Sequence, residues 1–144
     1  MWSRRHTTYI TIILIITVAA ALYIERSTTP TTTPAMQAAA IAYGEQHNLP
    51  RPPRPFHFDG CTLFPDTIGK ADFTRACLEH DIAYWYGGNA DERKAVDQTF
   101  KSAVATSGVA GNLLQWPMYG AVRLFGDTIL LRPLNANWGF GHNQ

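Results

Sequence analysis

At 144 residues the chain has room for one modest domain, and a net charge of +1 with scattered Lys and Arg leaves no basic stripe for nucleic acid. Residues 1–34 do not read as a domain, which leaves roughly 100 residues to fold, a thin core that a covalent or metal brace would help.

In chain order, Arg4, Arg5 and His6 precede a 16-residue apolar run over residues 9–24. Positive charge ahead of an apolar run holds the N-terminus in the cytoplasm and sends the downstream chain across the membrane. Residues 1–26 therefore read as a retained transmembrane anchor or a signal peptide. Ala19, Ala20 and Ala21 offer a cleavage site, but Leu22, Tyr23 and Ile24 continue the apolar run past it, which favours the anchor. In both cases the remainder is expected outside the cytoplasm. Residues 27–34 form a Ser/Thr/Pro linker, too polar to pack and too rich in proline for a helix. The domain is expected over residues 35–144.

Residues 36–46 are alanine-rich and predict a helix, and residues 49–55, with four prolines, predict an extended arm. Residues 56–70 show no sustained period and read as an ordered loop. Residues 71–86 are the first strong helix: Phe73, Cys77, His80 and Tyr84 recur at helical spacing on one face, and Gly87 and Gly88 end it. Asn89 or Asp91 can cap a second helix that runs to about Ser107, with Arg93, Asp97, Phe100 and Val104 along one side. The short turn between these helices predicts antiparallel neighbours. A third helix is expected over residues 112–125, limited or kinked by Pro117, followed by a short strand at residues 128–131 and an irregular aromatic tail around Trp138. The fold class is thus all-α, with two long antiparallel helices and a third helix, and one disulfide: a pair of cysteines outside the cytoplasm, Cys61 and Cys77, points to a bridge rather than two thiols.

Neighbouring His80 and Asp81 project about 100° apart on a helix, so one pocket can hold both against different partners. Imidazole titrates near neutrality, which suits His80 to act as a general base on water. The second ring nitrogen then needs an acceptor, and Asp97 is a carboxylate on the otherwise apolar stripe of the next helix. Tyr84, one turn beyond His80, can donate to the same carboxylate. Asp81 would face Asp59 and Gly60 on the loop. Two carboxylates with backbone carbonyls form an oxygen-only site that suits Ca²⁺, and glycine at 60 permits close approach of the backbone. A base beside such a cation has the parts for ester hydrolysis. Trp85, Tyr86, Trp116, Met118 and Trp138 read either as a lipid-facing rim or as core packing, and Arg123 either as a phosphate contact or as a surface cation.

These residues resemble the motifs of the phospholipase A2 superfamily in its compact bacterial and fungal form: Asp59, Cys61 and Thr62; Pro65 and Asp66; Cys77, His80, Asp81 and Tyr84; Asp97 ahead of Phe100; and Tyr119, Ala121, Val122, Phe125 and Gly126. The resemblance covers about residues 58–126. It implies a small phospholipase A2-like fold with a calcium loop, a Cys61–Cys77 disulfide, His80 as general base, Asp97 orienting it, and calcium held by the side chains of Asp59 and Asp81 and the carbonyl of Gly60. It further implies calcium-dependent hydrolysis of the sn-2 acyl ester of glycerophospholipids at a phospholipid membrane surface, with no nucleic-acid partner, no organic cofactor and a monomer as the default. The animal-type glycine-rich calcium loop and doubled cysteine are absent, so a non-catalytic relative serving as a binding or envelope-associated protein is the second reading. A His-Asp metal phosphohydrolase would need further histidine ligands, whereas His47 and His57 fall in a helix end and a proline-rich arm.

Overall fold

The computed structural model describes residues 32–62, 64–134 and 136–142. The apolar run at residues 9–24 and most of the Ser/Thr/Pro linker lie outside the described residues. Among the described residues no helix is long and apolar enough to cross a membrane. The architecture is mostly helical, with one two-stranded turn of sheet and one disulfide.

Helix α1 spans Pro34–His47. Thr33 caps it, its hydroxyl accepting from the Met36 N–H at 3.2 Å, and Pro34 sits where the missing N–H costs nothing. Thr32, also from the linker, packs onto the loop ahead: its hydroxyl accepts from the Phe58 N–H at 2.7 Å. After the proline arm, β1 (Thr67–Ile68) pairs antiparallel with β2 (Ala71–Asp72). This pairing corrects the expected start of the next helix. Ala71 and Asp72 are held by strand bonds, so α2 begins at Thr74 and runs to Tyr86, with the Asp72 carboxylate accepting from the Thr74 N–H at 2.8 Å.

Gly87 and Gly88, both at positive φ, turn the chain into α3, Ala90–Thr106. Asn89 and Glu92 form a reciprocal capping box at its start. Helix α4 spans Val109–Phe125 and includes Pro117. It starts three residues before the expected Asn112, because Gly108 at φ 105° makes the turn and its carbonyl accepts from the Asn112 N–H. The segment expected as a strand is a 3₁₀ helix, Ile129–Leu134; ahead of it the Thr128 N–H and hydroxyl both donate to the Phe125 carbonyl, an i to i−3 bond that holds the chain in a turn rather than extended.

Helices α3 and α4 pack along each other, and α2 lies against α3. The core between them and the proline arm is aromatic, with Phe58, Phe73, Tyr84, Trp85 and Phe140 all at most 2% exposed. The tail closes the end of α2. Gly139 N–H donates to the Tyr84 carbonyl at 2.7 Å and Gly141 N–H to the Trp85 carbonyl at 3.1 Å, which satisfies carbonyls that a helix C-terminus leaves without partners. Glycine is required at this closure, since a Cβ on Gly87 would lie 2.6 Å from the Gly139 Cα.

Candidate active site

Helix α2 presents His80 and Tyr84 toward α3, and Cys77, one turn earlier, is bonded to Cys61; all three are buried. Asp97 of α3 is fully buried beneath them. His80 Nε2 lies 2.9 Å from Asp97 Oδ1, and the Tyr84 hydroxyl donates to the same oxygen at 2.8 Å. The other oxygen, Oδ2, accepts from Arg123 Nη1 at 2.8 Å, with Arg93 Nε 3.8 Å away as an ion-pair contact. Burial alone would raise the Asp97 pKa, but the bonds from His80, Arg123 and Tyr84 overcome it and hold the carboxyl below its ordinary range. Asp97 is therefore an ionised acceptor, which places the proton of a neutral His80 on Nε2 and leaves the Nδ1 lone pair free for chemistry.

The His80 ring is clamped between Tyr84, at 4.1 Å between centroids, and Phe100, at 4.6 Å. Burial pushes its pKa down; Asp81 and Asp97 push it up more strongly, and the net direction is upward. Nδ1 stands 3.8 Å from Asp81 Oδ1, too far for a hydrogen bond, so Asp97 is the firm partner.

Asp81 projects toward the loop that carries Asp59 and Gly60. The Cys61–Cys77 disulfide ties this loop to α2. A bridge closing 16 residues restricts the unfolded chain by about 3 kcal/mol. Gly60 adopts φ 90°, a backbone conformation that favours glycine, and a Cβ there would meet Asp66 Oδ1 at 2.6 Å and push that carboxylate aside. Asp66 organises the turn by accepting from the Cys61 N–H at 2.7 Å. Asp59 accepts from the Thr62 hydroxyl at 2.9 Å.

The electrostatics of this rim are those of crowded carboxylates. Burial pushes Asp81 up to about 6, with His80 opposing and the charges of Asp59 and Asp66 adding to the rise. Burial likewise raises Asp59, opposed by Thr62 and His57 and aided by Asp66. Among the described residues no group of three or more His, Cys, Asp or Glu side chains forms a metal cluster; the expected calcium set is different, two carboxylates and one backbone carbonyl. The residues fit such a cation in donor chemistry: all three donors are oxygens, and a bound cation would relieve the charging cost that burial, joined at Asp81 by the charge of Asp59, puts on these two part-buried carboxylates.

His80, Asp81, Tyr84 and the disulfide also line a cavity of about 400 Å³, whose remaining walls include Phe64, Phe100, Met118, Val122 and Phe125. The cavity is apolar apart from the catalytic-type groups at one side, which suits an aliphatic chain attached to a polar reacting group.

The structure separates the two readings of the aromatics. Trp85, Tyr86 and Met118 are core, Trp138 is half-buried, and Trp116 is exposed. Two residues have roles that sequence reasoning did not assign. Arg123 is not a lone surface cation but a partner of Asp97. Arg93 also braces the end of α4, donating to the Arg123 carbonyl at 2.8 Å and pairing with Asp127 at 3.1 Å. Arg93 stands one turn before Asp97, which is a usable signal; Arg123 lies 26 residues away from Asp97, and no local pattern points to it.

No protein-family model, no curated protein and no solved structure matches the chain.

Proposed function

We propose that this protein is a calcium-dependent esterase of the phospholipase A2 type, with a small phospholipase A2-like fold, that cleaves the sn-2 acyl ester of glycerophospholipids outside the cytoplasm. The observation that supports it most is the 2.9 Å contact between His80 Nε2 and a fully buried, ionised Asp97 at the side of an apolar cavity. That arrangement leaves Nδ1 as the available base.

In this reading the acyl chain lies along Phe100, Met118 and Val122, and the ester reaches His80. His80 Nδ1 takes a proton from water as the water oxygen bonds to the ester carbonyl carbon. The imidazolium that forms is stabilised by Asp97, which donates no proton and takes none. Tyr84 and Arg123 hold Asp97 in place, so the ring keeps its orientation through the reaction. As the tetrahedral adduct collapses, His80 returns the proton to the departing glyceryl oxygen. A free fatty acid and a lysophospholipid leave. Asp59, Asp81 and the Gly60 carbonyl would hold calcium, whose charge, when bound, supplies electrostatic stabilisation to the carbonyl oxygen as it becomes anionic.

The test is fatty-acid release from mixed phospholipid vesicles, with calcium or with chelator. Calcium-dependent release is expected, and His80→Gln should lower it about a thousandfold, because the glutamine cannot accept and return the proton. Release that persists in chelator, or none from well-folded protein, overturns the proposal; the latter result would favour a non-catalytic binding protein built on the same site.

A further inference from the structure

A second cavity, of about 430 Å³, opens beside the C-terminal end of α2 and shares no wall residue with the one at His80. Segments far apart in the chain build it: Tyr43 and His47 from α1, Tyr86 from the last turn of α2, Glu92 from the first turn of α3, and Trp138 and His142 from the tail.

The aromatic walls are held in place. The Tyr86 hydroxyl donates to the Ala40 carbonyl at 3.0 Å, and Gly44 leaves room for it, since a Cβ there would collide with the phenol. The Trp138 indole N–H donates to the Gly88 carbonyl at 2.8 Å. With their polar ends tied to backbone, Tyr86 and Trp138 give the cavity ring surface. The Tyr43 ring lies 5.8 Å from the Tyr86 ring and 4.3 Å from the His47 ring, centroid to centroid. Tyr43 and Trp138 are half-buried, and His47 and Glu92 are exposed, so a ligand can enter from solvent.

One charge accompanies the rings. Among the described residues that line the cavity, Glu92 is the only Asp, Glu, Lys or Arg. Its Oε2 accepts from the Asn89 N–H at 2.7 Å, which anchors the carboxylate. A Cβ on Gly88 would touch both this carboxylate and the Trp138 ring, so the two stand a side chain's width apart. Burial first and the Glu92 charge next raise the Tyr43 hydroxyl pKa, so the field of the carboxylate reaches across to α1. Beyond the walls, Arg51 and Glu45 act on the Tyr86 hydroxyl with opposite signs. The N–H groups at the start of α3 would otherwise draw an anion, but those of Asp91 and Glu92 both donate to Asn89 Oδ1.

Rings beside a carboxylate, with no cation in the wall, complement one ligand chemistry. The faces of aromatic rings attract cations, and an alkylated ammonium adds methyl groups that fill apolar space. A phosphocholine headgroup fits worse, because its phosphate would meet Glu92 with no Lys or Arg in the wall to receive it. We propose that the cavity of Tyr43, Tyr86, Trp138 and Glu92 binds a free quaternary ammonium compound that carries no anionic group. The site does not rest on the esterase reading.

The probes are tetramethylammonium, choline, glycerophosphocholine and dimethylbutanol, the uncharged carbon isostere of choline. Each is titrated calorimetrically into the full chain in maltoside micelles at about pH 8, where imidazole is uncharged. Both ammonium ions should saturate the site, and dimethylbutanol and glycerophosphocholine should bind at least about tenfold more weakly. Tyr43→Leu removes one ring and should weaken choline binding about threefold to thirtyfold, whereas Tyr43→Phe keeps the ring and should match the parent. Glu92→Gln retains an oxygen for the Asn89 N–H, so the cap of α3 survives, and it should weaken choline binding about twofold to fivefold. Equal binding of choline and dimethylbutanol would mean an apolar crevice and would overturn the proposal, as would no binding of either ammonium ion by folded protein. Binding unchanged in both Tyr43→Leu and Glu92→Gln would put the ammonium elsewhere and overturn it too. Glycerophosphocholine bound as tightly as choline would make the ligand a lipid headgroup rather than a free cation, with the same consequence. None of these readouts involves catalysis, so the site can fail while fatty-acid release succeeds, and the reverse.

Discussion

Asp97→Ala is expected to destabilise the domain by about 3–5 kcal/mol, the cost of stranding buried charged partners when one member of an ion pair is removed. Asp97 is fully buried and takes bonds from His80, Tyr84 and Arg123. Its loss leaves the buried phenol and imidazole, and the part-exposed guanidinium of Arg123, without their acceptor. These partners come from α2 and α4 while Asp97 itself stands on α3, so the effect reaches all three helices rather than one. For a domain of about 100 residues the melting temperature should fall by roughly 15–30 °C. Asp97→Asn separates structure from chemistry. It keeps the volume and one carbonyl oxygen, so the fold should survive better, but its amide no longer fixes the proton on His80 Nε2 or stabilises the imidazolium. Fatty-acid release should fall roughly a thousandfold or more. Thermal unfolding and activity measured on both variants check this. An alanine variant within about 1 kcal/mol of the parent, a loss typical of an ordinary substitution, would show that the carboxylate does not hold the three helices together.

Asp81→Asn should act in the opposite direction on stability. Burial, followed by Asp59 and Asp66 and against the pull of His80, lifts the Asp81 pKa from 3.8 to about 6. Between those values the folded chain keeps a proton that the unfolded chain has released. Stability therefore declines as pH rises through that window, and the whole penalty is present above it. The difference corresponds to about 3 kcal/mol as an upper bound. Asparagine carries no charge, so in chelator at pH 7 the variant should be more stable by up to about that amount, and below the lower end of the window the gain should vanish. Added calcium should stabilise the parent and leave the variant unchanged, because the variant lacks a ligand carboxylate. Its activity should be lost. Melting curves at the two pH values, with and without calcium, decide the matter: an asparagine variant no more stable than the parent at pH 7 would mean that Asp81 carries no charging penalty. A residue whose charge costs the fold but whose removal costs activity is the expected signature of a functional group.

Local pattern is enough to find much of this. The spacing of Cys77, His80 and Tyr84 announces one face of α2 because a helix repeats every 3.6 residues, and Asp81 comes one position further round. Asn89 and Glu92 announce the start of α3 because both halves of a capping box lie within four residues. The pairing of Cys61 with Cys77 needs only two cysteines and an oxidising compartment. The contact of Asp97 with His80 is legible because a three-residue link between two helices leaves few ways to pack them.

The features that escape such reading depend on contacts between distant segments. β1 and β2 override a helical period at Ala71 and Asp72 through strand bonds from Thr67 and Ile68. The tail around Trp138 and Gly139 looks irregular in isolation, yet Gly139 and Gly141 supply the bonds that close α2. Arg123 looks like any helix-terminal cation until α4 is laid along α3 and brings it to Asp97. The exposure of Leu113 and Leu124 on α4 is equally hidden, since an apolar helix does not declare which of its sides meets the core. The helices, the disulfide and the His80–Asp97 pairing are thus specified at short range, by periodicity and connection length. The second half of the Asp97 ion network, the apolar cavity and the exposed face of α4 exist only in the packed molecule, because each arises where segments far apart in the chain meet or fail to meet.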